Sequence, residues 1–198
     1  MSDLPKIRNR HWSEYVATVA ALAISLISLW VAVGTEDANR KMVAATSWPF
    51  LQVDKSNVDG QGRPDIALSV VNSGVGPAKV ESFEVSWRGR EYRGSAAYLR
   101  DCCGRRAVPF PSKPGQTPVV TGGVAGTVIR AGESRTFLDM PLGPDNVAAW
   151  HALDRARFEM HFRICYCSVF DECWLSTFVS LESERVGKCP VPKVQYGQ

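Results

Sequence analysis

One stretch of the chain has no polar rhythm at all. From Tyr15 to Gly34 the sequence YVATVAALAISLISLWVAVG runs for 20 residues without a charge. At about 1.5 Å per residue, a helix of that length crosses the ~30 Å hydrocarbon core of a bilayer. Trp12 and Tyr15 stand at one end and Trp30 near the other, where aromatic side chains favour the membrane interface. A core helix of a soluble protein shows a polar stripe, and this stretch has none. The pattern predicts a transmembrane helix over 14–34, after a polar leader over 1–13. A cleaved signal peptide is the competing reading, since Ala32-Val33-Gly34 suits a cleavage site. The apolar run exceeds the ~7–15 residues of a signal-peptide core, which favours an uncleaved signal-anchor. Ala21 with Ser25, and Ser28 with Ala32, have a small-residue spacing that permits helix pairing and a homo-oligomer in the bilayer.

Beyond the span, TEDANRKMVAATSW lacks Gly and Pro. It reads as a juxtamembrane helix or linker over 35–48, ended by Trp48-Pro49. The rhythm then changes to short alternating runs separated by Gly, Pro, Asn and Ser. Ile66, Leu68 and Val70 fall on one face of a strand, and Phe83, Val85 and Trp87 on one face of another. TVIRAGESRTFLDM reads as strand, turn, strand. RFEMHFRICYCSVF places Phe158, Met160, Phe162 and Ile164 on one face. Arg157, Glu159, His161, Arg163, Cys165 and Cys167 fall on the other. With CWLSTFVSL it forms a long hairpin. About seven short strands are expected over 49–198, which predicts a mainly β domain: an immunoglobulin-like antiparallel β-sandwich. Two short helical insertions interrupt it: SAAYLRDCC, capped by Ser95, and DNVAAWHALDR, capped by Asp145 with Val147, Trp150 and Leu153 on its inner face. AVPFPSKPGQTP reads as a loop, and PVPKVQYGQ as a loose tail.

Cysteine placement changes the picture more than composition does. Cys102, Cys103, Cys165, Cys167, Cys173 and Cys189 all follow the span. An even count in an exported domain reads as a disulfide framework, with 15 pairings open to six cysteines. Cys167 with Cys173 suits a hairpin through Asp171-Glu172. Bridges from the polar face of the Cys165–Cys167 strand would pin covering segments to the sheet. The candidate covers are the Cys102-Cys103 loop and the tail with Cys189. A vicinal Cys102–Cys103 bridge is the strained alternative. A thiolate metal site or redox centre built on Cys165, Cys167 and Cys173 is the rival function. Zinc sites more often use C-x2-C than C-x-C, and thioredoxin-like chemistry needs C-x-x-C, which is absent. No metal and no cofactor are expected.

Overall composition is that of an ordinary globular chain, with 45% hydrophobic and 22% charged residues. It excludes collagen-like, coiled-coil and wholly disordered chains. The net charge of +3 gives no reason to expect nucleic acid as a partner. Charge is concentrated locally at Arg88, Arg90, Arg93, Arg100, Arg105 and Arg106, interleaved with Trp87, Tyr92 and Tyr98. This segment is the candidate surface for an anionic envelope component or a protein partner, because guanidinium suits carboxylate and phosphate. The alternative is a solvated edge strand protected by charge. His11, His151 and His161 stand in no nucleophile arrangement, and no G-x-S-x-G occurs. The Gly-rich TGGVAG lacks the Lys-Ser/Thr of a phosphate loop. No enzyme is expected. Lys6, Arg8 and Arg10 before the span outnumber Arg40 and Lys41 after it, which orients the amino end inside.

Three stretches, ATSWPFLQVDKSN, VVNSGVGPAKVESFEV and ICYCSVFDECW, resemble a group of uncharacterised bacterial single-pass membrane proteins. In that group one N-terminal helix precedes an exported β-domain. The resemblance implies bacterial origin and an anchor-plus-domain layout, and with the charge bias the expectation is a bacterial inner-membrane protein with its C-terminal domain in the periplasm. It brings no residue roles. The function expected is a non-catalytic binding or scaffolding module of the envelope.

Overall fold

The structure, a computed structural model, describes residues 10–104 and 115–197. The chain divides into two units, residues 1–45 and 46–198.

The first unit is helix α1, Arg10–Thr46. It is unbroken because the segment contains neither Pro nor an isolated polar turn, and Pro49 follows its end. Four residues of the expected leader, 10–13, are already helical; residues 1–9 lie outside the described residues. Thr18, Ser25 and Thr35 return their hydroxyls to the carbonyls of Glu14, Ala21 and Val31, which pairs these three polar groups within the helix. Every large apolar side chain from Val16 to Val33 is more than half exposed. One helix is therefore long and apolar enough to cross a membrane.

The second unit is built on two antiparallel sheets. Its strands are β1 (Leu51–Val58), β2 (Pro64–Asn72), β3 (Ala78–Trp87), β4 (Arg90–Tyr92), β5 (Val120–Thr121), β6 (Thr127–Ile129), β7 (Ser134–Pro141), β8 (Met160–Cys167), β9 (Cys173–Ser176) and β10 (Glu184–Val186). One sheet has the order β1-β2-β7-β5. The other has the order β10-β9-β8-β3-β4, with β6 paired to the opposite end of β3 from β4. The two sheets share one apolar core. Ile66, Leu68 and Val70 of β2 and Phe137 of β7 come from the first; Phe83 and Val85 of β3 and Phe162 and Ile164 of β8 come from the second. Phe83 meets Phe137 edge-on across the gap, with ring centroids 5.1 Å apart.

Helix α2 (Ser95–Cys103) follows β4, and helix α3 (Val147–Ala156) follows β7. Both caps differ from expectation. Gly94 precedes α2, while the Ser95 hydroxyl turns inward to Phe137 O and the Tyr196 hydroxyl. Asn146, not Asp145, precedes α3, and its amide bridges Gly143 N and Pro141 O at 2.8 Å each. Asp145 instead accepts from Thr117 N at 3.0 Å. Val147 is exposed, so the inner face of α3 is Trp150, Leu153 and Ala156.

Two further corrections come from long-range packing. The alternation that placed Phe158 inside and Arg157 outside fails, because a 3-10 turn (Arg157–Glu159) precedes β8 and shifts the phase. Arg157 is buried, bonded to Lys55 O and to Asp154 Oδ1 at 3.0 Å, and Phe158 is exposed beneath its guanidinium. The tail is not loose. Tyr196 is 1% exposed, its amide donates to Phe83 O at 2.9 Å, and its ring stands edge-on to Phe83 and Phe137.

The entry to the domain is fixed by backbone contact. Trp48 O accepts from Val75 N at 3.0 Å and Gly76 N at 3.2 Å, and Phe50 O accepts from Ser73 N at 2.8 Å. A Cβ on Gly74 would lie 2.3 Å from Phe50 N, and one on Gly76 would lie 2.0 Å from Ser47 O. Only glycine permits this approach. Asn72, fully buried, completes the join. It donates to Gly76 O at 2.8 Å and Ile129 O at 3.0 Å, and accepts from Phe50 N and Gly74 N.

Candidate functional site

The arginine segment begins in a two-residue hairpin turn. Trp87 pairs with Arg90, leaving Arg88 and Gly89 at the tip with φ of 49° and 77°. Positive φ at both central positions is the type I′ arrangement that matches strand twist, and glycine suits it while arginine does so at some cost. The turn projects Arg88 back over the Trp87 ring, 4.5 Å from its centroid, and onto Glu159 Oε2 at 2.8 Å. The hydrogen bond and charge of Arg88 hold the Glu159 carboxyl below its ordinary range, and Glu159 in turn raises Arg88. Arg90 lies 5.4 Å from the Tyr92 ring and donates to Asp101 Oδ2 at 2.5 Å. The Tyr92 hydroxyl donates to the same oxygen at 3.1 Å. Burial, then this carboxylate, raises the Tyr92 phenol.

Beneath these side chains lies an aromatic base. Tyr98 of α2 is fully buried and stands edge-on to Trp87 at 5.8 Å and Tyr92 at 5.5 Å. Burial pushes its phenol well above the ordinary range. The candidate surface is thus rigid, but two of its six arginines already have carboxylate partners. Arg93 and Arg100 are exposed with no carboxylate partner among the described residues. Arg105 and Arg106, with the proline-rich loop through residue 114, lie outside the described residues.

The cysteines fall into two places. Cys102 and Cys103, at the end of α2, are joined to each other, so that segment closes on itself and does not pin to the sheet. The other four gather on the outer face of the six-stranded sheet. Cys165 is joined to Cys189 at 2.05 Å and Cys167 to Cys173 at 2.03 Å. Cys167 and Cys173 are directly opposite in the β8–β9 ladder. Cys165 and Cys167 share the face of His161 and Arg163, as their spacing indicates. They are nevertheless buried, because the Cys189 segment covers them. The sulfurs of Cys167, Cys173 and Cys189 lie within 4.8 Å of one another. Thiolate ligation of a metal there requires both bridges to open.

His161 is exposed at the edge of a groove of about 440 Å³ lined by Glu84, Ser86, Glu91 and Arg163. Ser86 stands between Glu91 and His161 across three strands. A hydrolytic triad requires the imidazole in the middle, so this row is not one.

A carboxyl pair that no sequence pattern flagged sits on the four-stranded sheet. Asp65 of β2 and Asp139 of β7 lie diagonally across the strand pair, and each has a buried carboxyl oxygen without a hydrogen-bond partner among the described residues. Burial, then the neighbouring Asp139 carboxyl, pushes Asp65 up to about 6. Two acidic residues 74 positions apart carry no local signal; only the strand register brings them together.

No protein family, characterised protein or solved structure matches the chain.

Proposed function

We propose that the chain is a single-pass bacterial inner-membrane protein that displays a β-domain in the periplasm as a non-catalytic binding or scaffolding module. The observation that carries the reading is helix α1, whose uncharged stretch leaves every large apolar side chain from Val16 to Val33 more than half exposed. Exposure of that extent in water is unfavourable by ~25 cal/mol per Å², and a bilayer removes it. Six cysteines at disulfide distance, all after the span, support an oxidising compartment. The slight excess of basic residues before the span supports the orientation.

The immunoglobulin-like reading is supported by strand order. The sheet β1-β2-β7-β5 runs as A-B-E-D, and β9-β8-β3-β4 as G-F-C-C′, the Greek-key arrangement of that class. The exposed Arg93 and Arg100, without a carboxylate partner among the described residues, form the surface for an anionic envelope component or an acidic protein face.

Two measurements test the reading. With an epitope after Gln198, external protease is expected to digest the domain in intact spheroplasts; digestion only after lysis overturns the topology. Retention of the full-length protein on a polyanion resin at low salt is expected to fall in Arg93→Ser/Arg100→Ser with an unchanged near-ultraviolet spectrum. Equal retention returns these arginines to plain solvated charge.

A further inference from the structure

Four half-cystines from two separate bridges occupy one patch, and their sulfurs touch. Cys167 Sγ lies 3.9 Å from Cys189 Sγ, although the first is bonded to Cys173 and the second to Cys165. Thiol–disulfide exchange proceeds by attack of a thiolate on a disulfide sulfur, so bringing the two sulfurs together is its main geometric demand. Here that approach is already made. Burial also ranks the four. Cys165, Cys167 and Cys173 are 0%, 5% and 6% exposed, while Cys189 is only half-buried. A reductant from solvent therefore meets Cys189 first. The exposed Lys188 precedes it, and a neighbouring cation favours the thiolate.

We propose that Cys165, Cys167, Cys173 and Cys189 form a disulfide-exchange site, in which reducing equivalents from an external dithiol enter at Cys189 and pass to the Cys167–Cys173 bridge. One thiolate of the dithiol attacks Cys189 Sγ, the Cys165–Cys189 bond breaks, and Cys165 leaves as a thiolate that takes a proton from water. The second thiolate of the reductant attacks its own sulfur in the mixed disulfide. The reductant departs as an internal disulfide and Cys189 is released as a thiolate. Cys189 then attacks Cys167 Sγ, a Cys167–Cys189 bond forms, and Cys173 leaves as a thiolate that is protonated. The external dithiol has lost two electrons and two protons; the protein has exchanged two bridges for one bridge and two thiols. The tail remains tethered to β8, but its anchor has moved two residues along the strand, about 7 Å. The covalent tie between β8 and β9 is gone.

This exchange is independent of the binding reading, since it rests only on the sulfur patch. The test uses the full-length protein in detergent under anaerobic conditions, with one equivalent of dithiothreitol. Free thiols are alkylated and bridges mapped by mass spectrometry after non-reducing digestion, with Cys102 and Cys103 scored separately. The expected two-electron product carries a Cys167–Cys189 bridge and alkylated Cys165 and Cys173. Retention of either original bridge with both partners of the other alkylated overturns the proposal. In Cys165→Ser/Cys189→Ser, where entry at Cys189 is removed, reduction of the Cys167–Cys173 bridge is expected to slow at least about tenfold, the minimum difference expected between an exposed entry sulfur and a buried one. An unchanged rate also overturns it. The wild-type mapping decides the matter even if the double variant fails to fold.

Discussion

Replacing Tyr196 by alanine tests whether the last segment of the chain belongs to the core. The ring is 1% exposed and sits edge-on to Phe83 at 5.7 Å and Phe137 at 5.8 Å. Truncating a buried aromatic side chain costs about 3–5 kcal/mol, combining lost transfer energy with the cavity left behind. The backbone bonds from Tyr196 N to Phe83 O and Gly197 N to Arg93 O survive the substitution, so the lower half of that range is expected. With a urea dependence of about 2 kcal/mol per M, a loss of ~3 kcal/mol moves the midpoint down by about 1.5 M. Tyr196→Phe separates the ring from its hydroxyl. Ser95 keeps its bond to Phe137 O at 3.2 Å, so this change is expected to cost only ~0.5–1.5 kcal/mol. The assay is equilibrium urea unfolding of the oxidised full-length protein, followed by near-ultraviolet circular dichroism. Burial pushes the Tyr196 phenol up to about 12, so in alkaline titration it is expected to ionise only near that pH. A Tyr196→Ala midpoint within experimental error of wild type would refute the placement of the tail in the core.

Asn72→Ala removes one side chain that makes four hydrogen bonds in a fully buried position, and about 2–4 kcal/mol of stability is expected to go with it, read as a urea midpoint. Gly89→Val places a β-branched residue at φ 77° in the hairpin tip and is expected to destabilise by about 1–2 kcal/mol; an unchanged melting temperature contradicts the type I′ turn. Asp65, raised to about 6 in the folded state, holds its proton more tightly there than when unfolded. Its contribution is therefore fully present below pH ~4 and lost as pH rises through about 6. Full conversion of two pK units is ~2.7 kcal/mol, and partial solvation reduces this to about 1 kcal/mol. Asp65→Asn is expected to flatten the stability–pH profile in that window, and a profile identical to wild type disproves the raised affinity of Asp65 for its proton.

The sequence made legible whatever is periodic over a long enough window. The uncharged run predicts α1, and the alternation of Ile66, Leu68 and Val70 places the inner face of β2 correctly. Seven strands were expected and ten are present among the described residues, because β4, β5 and β10 are two or three residues long and too short to show a period. Cap identity was missed at both short helices: Ser95 and Asp145 have partners distant in sequence, Tyr196 and Thr117, that outcompete the local role. Arg157 reads as a surface residue because nothing local reveals that Lys55 O is waiting for it. At the candidate site, the arginine spacing was visible, but not the carboxylates that occupy Arg88 and Arg90. Glu159 lies 71 residues away from Arg88, and Asp101 reaches Arg90 only once α2 folds back over β4.

Tyr196 is the last residue of the core in order of synthesis. Until it arrives, the slot between Phe83 and Phe137 stands open, with the Ser95 hydroxyl facing into it. A nascent chain paused anywhere before that point can pair its strands but cannot close its interior. Completion of the interior is thereby postponed until Tyr196 itself has been delivered.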